Sequence, residues 1–285
     1  MRVLVIGAAG FLGGHVRRAA AARGFEVVAP GRRHLDLATG RAELAGLVAA
    51  IAPRAVVNCA GAVTGDAAAL NAANVAGTEN LVRALGPGVR LVHLGSAAEY
   101  GRGSPGVPVT EAAEPRPLNP YGVTKLAGTR IVTQARASGL DGVVLRVFNP
   151  VGAGAPASGL PGRAAAALRK ALADGGDLRL GPLDAVRDFV DARDVADAVL
   201  AALTAPDLPP VLNIGSGHGV PARALVKELL EVSGAGCAVY EDAPGSARSA
   251  DVPWQQADIT LATRVLAWRP RRGLADAAAD LWRAS

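Results

Sequence analysis

The chain has 285 residues, 50% of them hydrophobic and 19% charged, with a formal net charge of +5. No stretch approaches the ~20 consecutive apolar residues of a bilayer span, and MRVLVIG at the start has neither a basic leader nor a cleavage site, so a soluble cytoplasmic protein is expected. The arginines are dispersed without interleaved aromatics, which argues against nucleic acid, and Cys59 and Cys237 stand far apart without ligand-spaced histidines, which argues against a disulfide or a metal.

Arg2–Ile6 is an apolar run that breaks at Gly7-Ala8-Ala9-Gly10. Leu12, Val16 and Ala19 then recur at helical spacing up to Arg23, and Gly24 ends that helix. Phe25–Ala29 reads as a second strand. Leu44, Leu47, Val48 and Ile51 line a helix, followed by a strand at Ala55–Val57, a helix at Ala73–Leu85 and a strand at Leu91–Leu94. After a long loop come a helix from about Asn119 to Ala137 and a strand at Val143–Val147. Strands separated by helices of this length need crossover connections, so the sheet is parallel and doubly wound. Beyond Asn149-Pro150 the rhythm loosens: a helix runs to Leu172, another spans Asp191–Leu203, and Val211–Ile214 returns to the sheet. Pro221–Ser233 and Leu274–Trp282 complete the helices. The expectation is an α/β chain with a Rossmann-type sheet from residues 1–149 plus about 186–214. A smaller α/β substrate-binding lobe would come from about 150–185 and 215–285.

Gly7, Gly10 and Gly13 form G-x-x-G-x-x-G between the first strand and the first helix. A dinucleotide's pyrophosphate must lie against backbone N–H groups at a helix N-terminus, where side chains would block it. Ala9, Phe11 and Leu12 complete this cofactor turn. The second strand ends in Ala29-Pro30-Gly31-Arg32-Arg33, with no carboxylate for a ribose and two guanidiniums suited to a 2′-phosphate. NADP is therefore favoured over NAD, the alternative being two solvated arginines. Asp36 is placed to meet the adenine amino group with Leu37 beside it, and Asn58-Cys59-Ala60-Gly61 ends the next strand beside the cofactor.

Tyr121 and Lys125 lie four residues apart at the start of a helix, hence on one face. A tyrosine with an ordinary pKa near 10 is a poor acid–base partner at neutral pH, but an adjacent ammonium and the positive helix end both favour the phenolate. A lowering of ~3 units would take ~4 kcal/mol. The chain has three tyrosines and three lysines, so this pairing is not readily an accident of composition. Ser96, at the end of a strand, is positioned to hydrogen-bond a substrate carbonyl; the alternative is a loop-capping serine.

These residues together resemble the extended short-chain dehydrogenases/reductases, the NAD-dependent epimerase/dehydratase group that acts on nucleotide sugars. The resemblance also rests on Asn74-Val-Ala-Gly-Thr78, on Ser96 followed by Glu99-Tyr100-Gly101, and on Arg146-Val-Phe148-Asn149-Pro150. Leu180–Asp184, Arg187-Asp-Phe-Val190, Asn213–Gly217, Arg248 to Asp251-Val-Pro253 and Trp268-Arg-Pro270 are similar to the GDP-4-keto-6-deoxymannose reductase branch. The resemblance implies that Asn74 and Phe148 join the cofactor contacts. It also implies that Asn149, Arg187 and Arg248 bind a nucleotide diphosphate, that Asp251 faces a ribose hydroxyl, and that the chain is a homodimer packed through the Ala73–Leu85 and Tyr121-bearing helices. Dehydratases of this family carry acids after the Ser/Thr; here Ala97 and Ala98 can neither give nor take a proton, which disfavours dehydration. Glu99, one position later, should point elsewhere. Thr64 has the position to line the sugar pocket, the three tryptophans read as packing, and His15 and His218 as surface or capping groups. The expected activity is NADPH-dependent reduction of a keto group on a nucleotide-diphosphate deoxyhexose, with Tyr121 as proton donor. An epimerase with tightly bound NAD and a non-catalytic NADP-binding sensor are the alternatives.

Overall fold

A computed structural model describes residues 1–31, 36–38, 40–245 and 251–284. The chain alternates β1 (Arg2–Ile6), α1 (Phe11–Ala22), β2 (Glu26–Val28), α2 (Arg41–Ile51), β3 (Ala55–Asn58), α3 (Ala67–Asn71) and α4 (Gly77–Ala84), the last two joined by a π-helical turn over Ala72–Ala76. It continues through β4 (Arg90–Ser96), α5 (Pro120–Ala137) and β5 (Gly142–Val147). After β5 come β6 (Pro150–Val151), α6 (Leu160–Asp174), β7 (Leu178–Arg179), β8 (Val186–Asp188), β9 (Val190–Asp191), α7 (Ala192–Thr204) and β10 (Val211–Ile214). The remainder is β11 (Gly219–Pro221), α8 (Ala222–Ser233), β12 (Val239–Tyr240), β13 (Trp254–Gln255), α9 (Thr260–Leu266) and α10 (Leu274–Arg283).

Six strands form one parallel sheet in the order β10-β5-β4-β3-β1-β2. Its apolar strands lack the polar alternation of a half-exposed sheet because both faces are covered. Val3, Val5, Val57, Val92 and Leu145 pack with residues of α1, α7 and α9, whereas Leu4, Ile6, Val56, Leu91 and Val144 pack with residues of α2, α4 and α5. Successive residues thus belong to opposite cores, as the two-residue period of a strand dictates. The register pairs Ile6 with Asn58, Asn58 with His93, and Ser96 with Val147, which brings the ends of four strands onto one rim. In such sheets a ligand crevice forms at that rim.

A second core joins α6, α8 and α10 through Leu168, Leu225, Leu229 and Leu281, with Leu178 of β7 and Phe189 from between β8 and β9. Helix α9 was not expected, and it departs from the sequence-based division of the chain. Ala262, Leu266 and Trp268 pack on the sheet side rather than with the smaller lobe, and the Trp268 indole donates to the Asp194 carbonyl. The helix expected at Ala73–Leu85 begins earlier, where Asp66 caps Ala69 N–H at 2.8 Å. Its first turns are almost all alanine, so they carry no hydrophobic period to read. The two- and three-residue strands of the smaller lobe are too short to show one.

The two lobes are tied by Asp188, which is fully buried in β8. Its carboxylate accepts from Ser216 N–H (2.6 Å), Ser216 Oγ (2.7 Å), Gly217 N–H (3.0 Å) and Ala257 N–H (3.0 Å). Replacement by alanine would strand these buried donors. Asp188→Ala is expected to cost about 3 kcal/mol or more in urea unfolding, and Asp188→Asn less; equal, small effects would show that water satisfies the donors instead.

Candidate active site

A cavity of about 870 Å³ opens at this rim, lined on one side by the turn after β1 and on the other by the smaller lobe. Gly7 takes a positive φ of 77°, and a Cβ there would lie 2.7 Å from the Ala60 nitrogen. A Cβ on Gly13 would lie 2.1 Å from the Gly7 carbonyl oxygen, so α1 is seated directly on the turn. Gly10, the N-cap, supplies no side chain, and the first turn of α1 carries no acid. Gly10 N–H closes the turn on the Gly7 carbonyl at 2.9 Å, and the first N–H groups of the helix after it have no partner within the helix, at the end where Gly10, Phe11 and Leu12 line the cavity. A pyrophosphate fits this cradle on steric and electrostatic grounds.

The adjoining wall is Cys59, Ala60 and Gly61, and two buried asparagines hold it. Asn58 accepts Ala60 N–H at 3.1 Å and donates to His93 Nδ1 at 3.1 Å. Asn74, carried by the π-helical turn, accepts Ala62 N–H and donates both to Ala62 O and to Thr124 Oγ1, each at 2.9 Å. Asn74 thus holds this wall of the cleft as well as lining it. Burial pushes the Cys59 thiol up to about 12, against a smaller opposing pull from Lys125, so the thiol is wall rather than nucleophile.

Asn119 caps α5 by accepting Gly122 N–H at 2.9 Å, and Pro120 occupies the first turn. This presents Tyr121 and Lys125 to the cavity. Lys125 is buried and its Nζ donates to the Leu94 carbonyl at 2.6 Å. Burial lowers the basicity of its ammonium, while Glu99 and Cys59 oppose the fall. Both readings of Ser96 hold together. Its Oγ accepts Ala98 N–H at 3.2 Å as the cap of a short turn, and the residue lines the cavity beside Ala97 and Ala98. Glu99 does point away, into the protein, where it pairs with Arg146.

On the opposite side Asn149 lines the cavity while donating to Asp188 O at 3.1 Å, and Arg187, buried, donates to Val186 O at 2.8 Å. Helix α6 supplies what the sequence reading missed. Its N-cap is Gly159, its first turn holds no acid, and Ser158, Gly159, Leu160 and Arg163 all line the cavity. The Gly159-Leu-Pro161 start was the available signal, but the direction in which that helix points depends on tertiary packing.

Several expected residues lie elsewhere. The Phe148 side chain is fully buried against Tyr100, Ala97 and Ala257, on the far side of the strand from the cavity. Leu37 packs beneath α4 and gives its carbonyl to Asn80, and Asp36 is exposed and caps Ala38 N–H at 2.9 Å. Thr64 is exposed, with Val63 lining the cavity in its place; Asp251 and Ala9 are also exposed and outside the lining. Arg32, Arg33 and Arg248 lie outside the described residues. His15 is not a surface group: it is buried on α1, with Nε2 2.9 Å from the Ala153 carbonyl. Ala153 N–H in turn donates to Asp280 at 2.8 Å, so side chains from both lobes hold the backbone of this one residue, next to Gly154 of the cavity wall. No group of potential metal ligands occurs among the described residues, and no helix there is long and apolar enough to cross a membrane.

Residues 3–215 match the model of the NAD dependent epimerase/dehydratase family. A Kitasatospora kifunensis protein described as dTDP-6-deoxy-L-talose 4-dehydrogenase (NAD(P)(+)) is 40% identical over 302 residues, covering 99% of this chain and 95% of the relative. A Streptomyces lividans UDP-glucose 4-epimerase is 34% identical over 73% of this chain and 67% of its own. Among solved structures, RMD from Pseudomonas aeruginosa complexed with NADPH superposes with a TM-score of 0.88 at 26% identity, covering 99% of this chain and 98% of that one.

Two outcomes follow from this geometry. Gly13→Ala is expected to abolish dinucleotide binding, measured by fluorescence titration with NADPH and NADH; unchanged affinity would mean that the turn is not the phosphate cradle. Burial lowers both His15 and His93 from the ordinary 6.5, His93 well below it. The unfolded chain therefore binds more protons once the pH falls below 6.5, and stability is lost on acidification through that point. Each group contributes a slope of up to about 1.4 kcal/mol per pH unit, and His93→Gln should flatten the fall in unfolding free energy measured between about pH 7 and 5.

Proposed function

The chain belongs to the NAD dependent epimerase/dehydratase family, and we propose that it reduces the 4-keto group of a nucleotide-linked 6-deoxyhexose with NADPH. The observation that carries this reading is the convergence of Ser96, Tyr121 and Lys125 on one cavity, with alanines where a dehydratase needs acids. The name of the Kitasatospora relative describes the same reaction written as an oxidation, and it favours dTDP over GDP as the nucleotide.

When bound, the nicotinamide supplies the hydride for the carbonyl carbon. The chain's residues do the rest. The Gly7–Gly13 turn and the N-terminus of α1 hold the pyrophosphate, and Arg32 and Arg33 take the 2′-phosphate that distinguishes NADP. Lys125, anchored on Leu94 O, keeps two further N–H groups for the nicotinamide ribose and favours the Tyr121 phenolate over the bare phenol. Tyr121 O–H gives its proton to the carbonyl oxygen as that oxygen gains charge, and Ser96 Oγ orients the same atom by a hydrogen bond. Ala97 and Ala98 offer no group to take the C5 proton, which is acidic only while the 4-keto group is present, so the chain lacks what a dehydratase needs for elimination. Asn149, Arg187, Arg248 and the uncapped start of α6 take the substrate diphosphate, and Arg163 extends that side. Thr64 keeps at most a place at the sugar rim. A cytoplasmic homodimer goes with this reading, joined through the faces of α4 and α5, where Val123 is exposed.

The 34% identity to an epimerase supports one second reading, in which the same three residues oxidise and re-reduce one carbon. The two differ in cofactor handling, because an epimerase retains its dinucleotide whereas a reductase exchanges it at every turnover.

With dTDP-4-keto-6-deoxyhexose, the purified protein should consume NADPH absorbance, and Tyr121→Phe should lower kcat about a hundredfold or more. Arg32→Ala with Arg33→Ala should raise KM for NADPH while leaving KM for NADH near its original value. Unchanged absorbance across a panel of nucleotide 4-keto sugars would sink the reductase reading. NAD co-purifying with the protein, together with interconversion of 4-epimers, would replace it with the epimerase.

A further inference from the structure

The reaction assigned above leaves one buried ion pair beneath the cleft without a role. Glu99 is fully buried, and Arg146, its partner, is only 4% exposed. Oε1 of Glu99 accepts Ser96 N–H at 2.8 Å, while Oε2 accepts Thr129 Oγ1 at 2.8 Å and Arg146 Nε at 2.8 Å. The Arg146 guanidinium lies over the Tyr100 ring, 4.5 Å from its centroid. Taking two such charges out of water is costly, and apolar side chains of the same volume often serve stability as well or better. Packing alone therefore does not account for the pair.

Its attachments explain more. They reach β4 through Ser96, α5 through Thr129 and β5 through Arg146. On α5, Tyr121, Lys125 and Thr129 recur every four residues and share one face. Lys125 grips the Leu94 carbonyl from that face, and Glu99, held by Thr129, grips the Ser96 amide two residues on. The strand end that carries Ser96 is thus fixed at two points to the helix that carries Tyr121.

We propose that Glu99 is a positioning residue for the reaction: through the Ser96 amide and the Thr129 hydroxyl it locks Ser96 in register with Tyr121 and Lys125. The proposal rests on the assignment of those three residues to the chemistry. Around Lys125 stand the Cys59 thiol, His93 and Glu99; around Arg146 stand Glu99 and Tyr100, with Glu111 beyond Asn213. From the π-helical turn and α4 only the uncharged Asn74 and Thr78 face this region, since Glu79 and Arg83 pair with each other at the surface. Glu99 is the largest favourable influence on the Lys125 ammonium against its burial.

The two partners should therefore have effects of opposite sign. Without the Glu99 charge, Arg146 is left as net positive charge, and the neutral phenol of Tyr121 loses ground to its phenolate; without Arg146 the reverse holds. The test is an ultraviolet titration of tyrosinate absorbance in the purified full chain. Subtracting the Tyr121→Phe form of each background isolates Tyr121 from Tyr100 and Tyr240. Glu99→Gln is expected to move the Tyr121 midpoint down by about half a pH unit or more, and Arg146→Met to move it up. Glu99→Gln should also lower kcat about tenfold while KM for NADPH changes less than about threefold. Midpoints that stay at the wild-type value in folded variants, or that move in the same direction, overturn the proposal. Should one variant fail to fold, the sign of the shift in the other decides. The titration needs no sugar, so failure of the reductase reading and failure of this proposal are separately visible.

Discussion

The cleft is organised by the end of β4. Three residues of that strand, Leu94 to Ser96, are held from α5 by the Lys125 ammonium on a carbonyl and from below by the Glu99 carboxylate on an amide. Both contacts are charge-assisted and both are shielded from water, so each is shorter and stronger than a neutral hydrogen bond at the surface would be. Fixing the strand to the helix in this way makes the separation of a hydroxyl, a phenol and an ammonium a property of the fold rather than of flexible side chains. Reaction rates depend on such separations to within about an ångström.

The remainder of the architecture supplies two positive helix ends to the same cavity from opposite lobes. Helix α1 arrives from the sheet and α6 from the smaller lobe; both begin at a glycine that offers no side chain, and neither carries an acid in its first turn. The proposed cofactor and the proposed substrate each carry a diphosphate, and under that proposal one device serves both. Two carboxylates fully buried among donors tie the lobes together: Asp188, between the small strands and the loop after β10, and Asp194, which accepts from Arg271 N–H, Arg272 N–H and the Arg272 side chain, between α7 and the chain before α10.

Much of this was legible in the residues themselves. The sheet strands announced themselves because burial on both faces demands uninterrupted apolar runs, and Tyr121 and Lys125 because their four-residue spacing has meaning only on a helix. The failures have physical causes as well. Phe148 adjoins Val147 at the end of β5, and the alternation of a strand sends one towards the cavity and the other into the core. His15 is a polar residue within an apolar stripe, and only the carbonyl of Ala153, 138 residues away, gives it a reason to be buried. The inward role of Glu99 could be anticipated as a direction but not as a set of partners, because Thr129 and Arg146 come from elements that meet only in the folded chain. Arg163 and Ser158 went unnoticed for the same reason.

The π-helical turn between α3 and α4 has a consequence for how this sequence can change length. A widened turn holds one residue more than an α-helical turn, so it behaves as a single-residue insertion accommodated without breaking the helix. Because the wide turn absorbs that extra residue, Leu70 before it and Leu81 after it both remain in the interior, while Asn74, on the bulge itself, is directed at the Ala62 backbone. Removing one residue within Ala72–Ala76 would restore ordinary winding and leave α3 and α4 in phase. The helix would survive such a loss, and the bulge that aims Asn74 at the cleft wall would not. Length in this stretch is thus restrained by the cleft rather than by the packing of the helices.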